Sequence, residues 1–285
     1  MTIKNAPLLR LASIVIVALI VLGNAKGRAD SCGGPDEACE TPLGSYHIAK
    51  PDNATSPPIV LFFHGGGGWG TRIFTMRAAM TKVFTDRGYA VIAPNGKKRP
   101  GSRFGPGWSF IPQLAPIRDE VAFTKEIIAD AAKRHGFDTN RVLLTGYSIG
   151  GSVASYIACW EPGVATAFAP VAGGFWRPHP TDCNGPVRLL HTHGWRDQTV
   201  PLEGRPIRNT GIKQGDIYQT LDMWRTQNGC HKYRPDHFVT EGDFWRRIWT
   251  HCQAGALEFA LHPGGHEIPT GWPALALDWF EDLPD

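Results

Sequence analysis

The chain has 285 residues, of which 42% are hydrophobic and 19% charged, and this suits one large α/β domain with an ample core. Its formal net charge is +3, but the first 29 residues carry four basic and no acidic side chains, so the remainder carries −1. A near-neutral chain of this kind argues against nucleic acid or an anionic membrane as a partner.

The first 29 residues predict a secretory signal peptide. A basic flank precedes an apolar stretch over 11–22, and Gly27 and Ala29 supply the small side chains that favour cleavage before Asp30. The apolar stretch is short for a membrane span, although an uncleaved anchor is the alternative. We therefore expect a catalytic domain over 30–285 that is secreted or periplasmic and has no stable membrane association after cleavage.

Cysteine usage is consistent with export. The chain has six cysteines, an even number, and all of them follow the predicted cleavage point. An oxidising compartment pairs such cysteines. From sequence proximity and from the predicted neighbouring elements we expect the pairs Cys32–Cys39, Cys159–Cys183 and Cys230–Cys252. No Cys-x-x-Cys pair occurs and the histidines show no ligand spacing, so we expect no metal site.

Apolar runs alternate with helical patterns along the rest of the chain, which predicts an α/β fold with a mostly parallel sheet and helices on both faces. The predicted strands cover 44–49 (as an edge strand), 59–63, 89–93, 142–145, 165–171, 187–192 and 256–262; the predicted helices cover 76–87, 118–135, 152–158 and 272–281. The residues over 100–116 are rich in Gly, Pro and aromatics and predict a long loop. No linker or repeat divides the chain, so one domain is expected.

The most informative motif is Gly-x-Ser-x-Gly around Ser148. An apolar run precedes it and a helical pattern follows at once, which is the strand–turn–helix context of a nucleophile elbow. Gly146 and Gly150 allow the strand and the helix to approach closely. The hydroxyl group of Ser148 is then exposed at the start of a helix, where backbone N–H groups stabilise negative charge.

A serine nucleophile needs a histidine base and an orienting carboxylate, and in α/β hydrolases these follow the serine in the order acid, then histidine. Asp197 lies after one apolar strand and His266 after the next, on a Gly-Gly turn. The carboxyl ends of parallel strands are where such sheets keep their sites. The alternatives are His262, His251 and His191 for the base and Glu267 and Asp243 for the acid.

Stabilisation of the oxyanion requires two backbone donors. We expect one from Ile149, directly after the nucleophile, and one from the run of four glycines that follows His64. Gly66 is the first choice in that run and Gly67 the second. His64 is expected to order this loop.

Four tryptophans fall in predicted loops near the site, and they offer either ring stacking with the substrate or simple loop packing. They are Trp69, Trp108, Trp176 and Trp195. Trp69 and Trp195 flank the proposed oxyanion and acid loops and are the candidates for substrate binding.

Together, the elbow at Ser148, the His-Gly-Gly-Gly-Gly loop, the run from His193 to Pro201 and the run from Gly264 to Pro269 resemble the polyhydroxybutyrate depolymerase and feruloyl/acetylxylan esterase group of α/β hydrolases. The resemblance implies a secreted serine esterase with Ser148, Asp197 and His266 as its triad and with no cofactor. Ile149 is bulkier than the residue usual in that group, and no appended substrate-binding domain is recognised, so we do not expect attack on solid polyester.

The predicted function is hydrolysis of short-chain, feruloyl or acetyl, or 3-hydroxybutyrate-type esters through an acyl-enzyme. A peptidase on the same fold is one alternative, and a catalytically silent binding protein is another. A small or oligomeric ester is the expected partner, and no sequence pattern predicts an oligomeric state.

Overall fold

Ten strands form one mixed sheet in the computed structural model, which describes residues 1–2, 32–34, 36–102 and 105–284. The predicted signal peptide and its cleavage site lie outside these described residues. The strands of the structure are β1 (Cys39–Thr41), β2 (Gly44–Ala49), β3 (Pro58–Phe63), β4 (Ala90–Pro94), β5 (Asp138–Tyr147), β6 (Ala167–Val171), β7 (Trp176–Arg177), β8 (Arg188–Gly194), β9 (Lys213–Gln214), β10 (His237–Glu241), β11 (Phe244–Trp249) and β12 (Ala256–His262). The helices are α1 (Arg72–Thr75), α2 (Ala78–Asp86), α3 (Glu120–His135), α4 (Ile149–Trp160), α5 (Ile217–Gln227) and α6 (Trp272–Glu281).

The sheet order is β1-β2-β4-β3-β5-β6-β8-β12-β11-β10, and the run from β4 to β12 is parallel. Strands at both ends pair antiparallel. The central strands are buried along almost their whole length, as apolar runs in a sheet covered on both faces should be. The predicted α/β architecture is therefore confirmed, and β7 and β9 form a separate small ribbon.

Two features of the sheet edges differ from the prediction. Gly44–Ala49 is not an edge strand, because Cys39–Thr41 pairs outside it. The Cys32–Cys39 disulfide and a hydrogen bond from the Ile48 N–H to the Gly33 carbonyl hold that segment against β2. At the other end, the hairpin of β10 and β11 was not predicted, because every residue of β10 is exposed and no buried alternation marks it.

Helices cover both faces of the sheet and separate the core into two clusters. One cluster lies under α3, α4 and α5, and the other lies under α2 and α6. The predicted helix over 118–135 begins at residue 120 because the Asp119 side chain caps it, accepting from the Ala122 N–H at 2.9 Å, and it ends at Gly136 with φ +74°. Helix α4 is rich in Gly, Ala and Ser, so it packs closely on the sheet and brings its first residue to the sheet end.

All three predicted disulfides are confirmed: Cys32–Cys39, Cys159–Cys183 and Cys230–Cys252. The second joins the end of α4 to the loop before β8, and the third joins the segments that follow α5 and β11. None of the helices in the described part of the chain is both long and apolar enough to cross a bilayer.

Candidate active site

Ser148 lies at a sharp turn between β5 and α4, with φ +59° and ψ −124°. Few residues other than glycine adopt a positive φ. The neighbouring glycines are required by close packing. A Cβ on Gly150 would lie 2.0 Å from the Phe63 carbonyl oxygen, and one on Gly146 would lie 2.4 Å from the Gly150 carbonyl oxygen. The elbow thus presents the Ser148 hydroxyl at the carboxyl end of the sheet.

The loops after β8 and β12 bring Asp197 and His266 to this serine. His266 Nε2 lies 2.9 Å from Ser148 Oγ, and His266 Nδ1 lies 2.7 Å from Asp197 Oδ2. The three side chains named from the sequence therefore form one continuous hydrogen-bonded chain. This is the geometry that general-base activation of a serine needs.

The Asp197 carboxylate is buried and held on both oxygens. Its Oδ1 accepts hydrogen bonds from the Thr199 and Val200 N–H groups at 2.8 Å each, while Oδ2 faces His266. Burial alone would raise the pKa of this carboxyl, but the hydrogen bonds from His266 and Val200 outweigh it and lower the pKa below its usual value. Asp197 is therefore an anion at neutral pH and keeps the Nδ1 proton on His266.

Two buried histidines, His193 and His191, lie in a row beside Asp197. His193 Nε2 lies 2.8 Å from the Val200 carbonyl oxygen and 3.5 Å from Asp197 Oδ2. Because a carbonyl only accepts, His193 carries its proton on Nε2, and its Nδ1 accepts from His191 Nε2 at 3.2 Å. Burial lowers the pKa of His193 to about 4, opposed by the hydrogen bond to Val200, so the ring is neutral at pH 7.

Tyr147, the residue before the nucleophile, packs against His266. Its ring centroid lies 4.9 Å from that of His266, and its hydroxyl donates to the His266 carbonyl oxygen at 2.5 Å. The Arg77 guanidinium lies over the Tyr147 ring, with Cζ 4.7 Å from the ring centroid. The ring contact and the hydrogen bond of Tyr147 orient the ring and the backbone of His266.

The glycine loop after β3 lies beside the elbow, and its hydrogen bonds distinguish the two candidate donors. The Gly67 N–H donates to the Pro106 carbonyl oxygen at 2.9 Å, whereas no hydrogen bond within the described residues uses the Gly66 N–H. A Cβ on Gly66 would lie 3.6 Å from Ile149 Cδ1, so Gly66 packs beside the Ile149 side chain. The Ile149 N–H has no acceptor within its helix because it is in the first turn.

His64 orders this loop through both ring nitrogens. Its Nδ1 donates to the Gly65 carbonyl oxygen at 2.7 Å, and its Nε2 accepts from the Gly96 N–H at 3.0 Å. Burial lowers the pKa of His64 to about 4, so the ring is neutral and keeps this donor and acceptor pattern. The Trp108 indole also donates to the His64 carbonyl oxygen at 2.8 Å.

The four loop tryptophans divide into two groups. Trp69 and Trp195 are exposed, whereas Trp108 and Trp176 are buried and pack against other aromatic rings. The backbone N–H of Trp195 donates to the His262 carbonyl oxygen at 2.8 Å, and this bond ties the loop of Trp195 to the loop that carries His266. Trp108 and Trp176 therefore have the loop-packing role, and the substrate-binding role of exposed Trp69 and Trp195 stays a prediction.

Among the described residues, none of the alternative bases and acids makes a side-chain hydrogen bond to Ser148 or to His266. His262 and His191 are buried, and His251 lies against Asp236 on the surface at 3.1 Å. Within the described residues, neither Glu267 nor Asp243 makes a hydrogen bond to His266. Sequence reasoning missed His193 and Tyr147 as supporting residues, although both are next to or within quoted motifs, since their contacts arise only from the folded loops.

Potential metal ligands converge at one place within the described residues, where Cys32, Cys39 and His135 lie close together. Both sulfur atoms belong to the Cys32–Cys39 disulfide, and Cys39 Sγ lies 3.4 Å from His135 Nε2. A metal would need thiolates, which a disulfide does not supply. This cluster therefore does not have the chemistry of a metal centre.

Known proteins resemble the chain both in sequence and in structure. The family model described as BD-FAE matches residues 46–163, a stretch that contains Ser148 and the glycine loop. Feruloyl esterase B of Piromyces equi is 25% identical over 194 residues, which cover 61% of this chain and 33% of that protein. Probable feruloyl esterase C of Aspergillus niger is 23% identical over 179 residues, 62% of this chain and 56% of that protein. The chain thus spans about a third and about half of these relatives.

The acetyl xylan esterase from Aspergillus awamori superposes on 83% of this chain and 93% of its own, with a TM-score of 0.62 and 18% identity. This likeness shows that the chain has the α/β-hydrolase fold. The predicted resemblance to α/β-hydrolase esterases is confirmed on its feruloyl and acetylxylan side. The polyhydroxybutyrate depolymerase part of the resemblance stays a prediction.

Proposed function

We propose that the chain is a serine carboxylic ester hydrolase that works through an acyl-enzyme. The observation that carries the proposal is the unbroken hydrogen-bonded chain from Asp197 through His266 to Ser148, which ends on a strained turn at the carboxyl end of the sheet. The feruloyl and acetyl xylan esterases that resemble the chain support the choice of ester chemistry.

In the first half of the reaction, Ser148 Oγ attacks the ester carbonyl carbon while its proton passes to His266 Nε2. The carbonyl oxygen becomes an oxyanion between the N–H groups of Ile149 and Gly66, each worth about 3–4 kcal/mol of barrier in related sites. His266 then protonates the departing alcohol, and the acyl group remains on Ser148. Asp197 stabilises the imidazolium that forms in between.

In the second half, water takes the place of the alcohol. His266 Nε2 accepts a proton from the water as its oxygen attacks the acyl carbon, and the same proton returns to Ser148 Oγ when the acid leaves. General-base assistance of this kind is worth about 10²–10⁴-fold at each step. The side chains involved in both halves are the same, so a single loss at Ser148 or His266 stops turnover.

We assign His193 a positioning role in this scheme. Its Nε2–H donates to the Val200 carbonyl oxygen and lies 3.5 Å from Asp197 Oδ2, so it fixes the turn that holds the carboxylate. The stacked His191 ring holds His193 in this tautomer from the other side. His193 does not touch the reacting atoms and acts through Asp197.

The substrate class is a short-chain, acetyl or feruloyl, or 3-hydroxybutyrate-type ester, and the protein works in the periplasm or outside the cell. The exposed rings of Trp69 and Trp195 support an acyl or alcohol group that stacks on aromatic surface. The three disulfides support an oxidising compartment.

The test is hydrolysis of p-nitrophenyl esters from acetate to octanoate by the mature protein and by Ser148→Ala. We expect the variant to lose at least about 10³-fold in kcat while keeping its fold, because the nucleophile is absent and the rest of the site is intact. The chain-length profile of the wild type then measures the acyl pocket. Equal rates in the two proteins would overturn the proposal.

A further inference from the structure

A second concave surface lies between α5 and the β10–β11 hairpin, away from the residues of the proposed triad. We name it the arginine–aromatic groove after six of its lining residues: Tyr218, Arg225, Tyr233, Arg234, Phe238 and Arg247. Its volume is about 290 Å³, and Phe259 of β12 forms part of its floor. No residue of the proposed mechanism lines it.

Three of the rings that line the groove are exposed to solvent. Tyr218 on α5 is 44% exposed, Tyr233 after α5 is 78% exposed, and Phe238 on β10 is 57% exposed. Large apolar side chains clustered at one surface usually mark a binding site, because leaving them in water costs free energy. They come from a helix, a connection and an edge strand. Arg225 lies over the Tyr233 ring, with Cζ 5.4 Å from its centroid, and the exposed fractions leave ring surface free at all three positions.

The same groove holds arginines that have no counter-charge. The Arg247 Cζ lies 6.0 Å from the ring centroids of both Phe238 and Phe259, and its Nη1 is buried with no hydrogen-bond partner among the described residues. The Arg234 Cζ lies 5.6 Å from the Phe238 centroid, and no carboxylate in the described part of the chain pairs with it. Arg225 differs, because Asp222 neutralises it at 2.8 Å.

The half-buried guanidinium of Arg247 needs an acceptor, and exposed Arg234 lies over the same Phe238 ring without a carboxylate partner among the described residues. Carboxylates supply acceptors to guanidinium groups with matching two-point geometry. An extended ligand that fits the groove must therefore combine flat, stackable rings with carboxylates at intervals. We propose that the arginine–aromatic groove binds a chain of sugar acids, with uronate carboxylates on Arg234 and Arg247 and sugar faces on Tyr233 and Phe238. The site would hold the protein on an acidic polysaccharide.

A single-stranded nucleic acid also combines rings with negative charge, but the chain favours it less. Beyond the first 29 residues the net charge is −1, whereas a phosphate-dense polymer is held by an excess of basic residues.

Calorimetric titration of the intact protein with trigalacturonate tests the proposal, with maltotriose as a neutral chain of the same length and an oligothymidylate as the nucleic acid. We expect trigalacturonate alone to bind, and to bind more weakly as salt is raised from about 0.02 M to about 0.5 M, because exposed charges are then screened. Arg247→Gln and Phe238→Ala should each weaken binding by about tenfold.

Arg141→Gln is the matched control, because Arg141 also lies over an aromatic ring, with Cζ 5.1 Å from the Phe280 centroid, but in a different part of the molecule. It should leave binding unchanged. Hydrolysis of p-nitrophenyl acetate at the wild-type rate shows that each variant is folded, and since binding is measured without turnover, the groove can fail while the esterase proposal stands.

Three results would overturn the proposal. They are no binding of trigalacturonate by the wild type, equal binding of maltotriose, or equal weakening in Arg141→Gln. Tighter binding of the oligothymidylate would replace the sugar acid by nucleic acid as the ligand of the groove.

Discussion

The turn at Ser148 stores backbone strain, and glycine at this position should release it. Ser148 has φ +59° and ψ −124°. A non-glycine residue in such a conformation costs about 1–3 kcal/mol. Glycine removes that cost but adds about 0.4–1 kcal/mol of backbone entropy to the unfolded chain. We therefore expect Ser148→Gly to be more stable than Ser148→Ala by about 0.5–2 kcal/mol.

Comparing these two variants isolates the backbone, because both lack the hydroxyl and its hydrogen bond to His266. Thermal unfolding at one pH, with the disulfides intact, should place Ser148→Gly about 1–8 °C above Ser148→Ala. Both variants should be inactive toward p-nitrophenyl acetate.

The matched control is Ala129→Gly, at an exposed position inside α3, where the same change from alanine to glycine should cost about 1 kcal/mol. The two positions should therefore respond with opposite signs. If Ser148→Gly is as stable as Ser148→Ala or less stable, the turn is not strained and the reasoning fails.

Three further predictions concern the supports of the site. His193→Leu should lower kcat for p-nitrophenyl acetate by about 10–100-fold with little change in KM. His193→Gln, whose amide N–H can replace Nε2–H, should stay within about threefold of the wild-type kcat. Equal losses of kcat in the two variants would refute the positioning role. Burial lowers the pKa of His193 from 6.5 to about 4. Between pH 6.5 and pH 4 the unfolded chain therefore binds a proton at His193 that the native protein does not bind. The free energy of unfolding should fall by about 3 kcal/mol as the pH drops from 6.5 to 4. In urea unfolding, the stability difference between wild type and His193→Gln should shrink by about that amount between these pH values, and a constant difference would contradict the assigned burial. Gly150→Ala places a Cβ 2.0 Å from a backbone oxygen and should cost about 3 kcal/mol or more of stability. In the control Gly163→Ala the nearest atom to the new Cβ lies at 4.0 Å, so stability should change by less than about 0.5 kcal/mol. Similar melting temperatures of the two variants would refute the packing argument.

Local patterns were sufficient to predict the parallel core of the sheet, the disulfides and the three side chains that meet at Ser148. Each of these features has a local signal in the sequence: an apolar run for a strand, a cysteine beside a predicted element, or a short motif after a strand. Asp197 and His266 could be placed because the carboxyl ends of adjacent parallel strands meet at one edge.

Other features depend on contacts between distant segments and leave no local signal. Every residue of β10 is exposed, so no alternation of buried and exposed positions marks this strand in the sequence. His193 supports Asp197 only because the turn at Val200 folds back on it. The outermost strand β1 forms because a disulfide and the turn into β2 hold three residues in place.

The most direct test of the central claim is mass spectrometry of the mature protein after reaction with a fluorophosphonate, which phosphonylates only an activated serine. The account predicts one adduct per chain on the peptide that carries Ser148. Labelling should be absent in Ser148→Ala and strongly slowed in His266→Ala, because the base is then missing. An adduct at another residue, or no adduct on the folded wild-type protein, would contradict the assignment of Ser148 as the nucleophile.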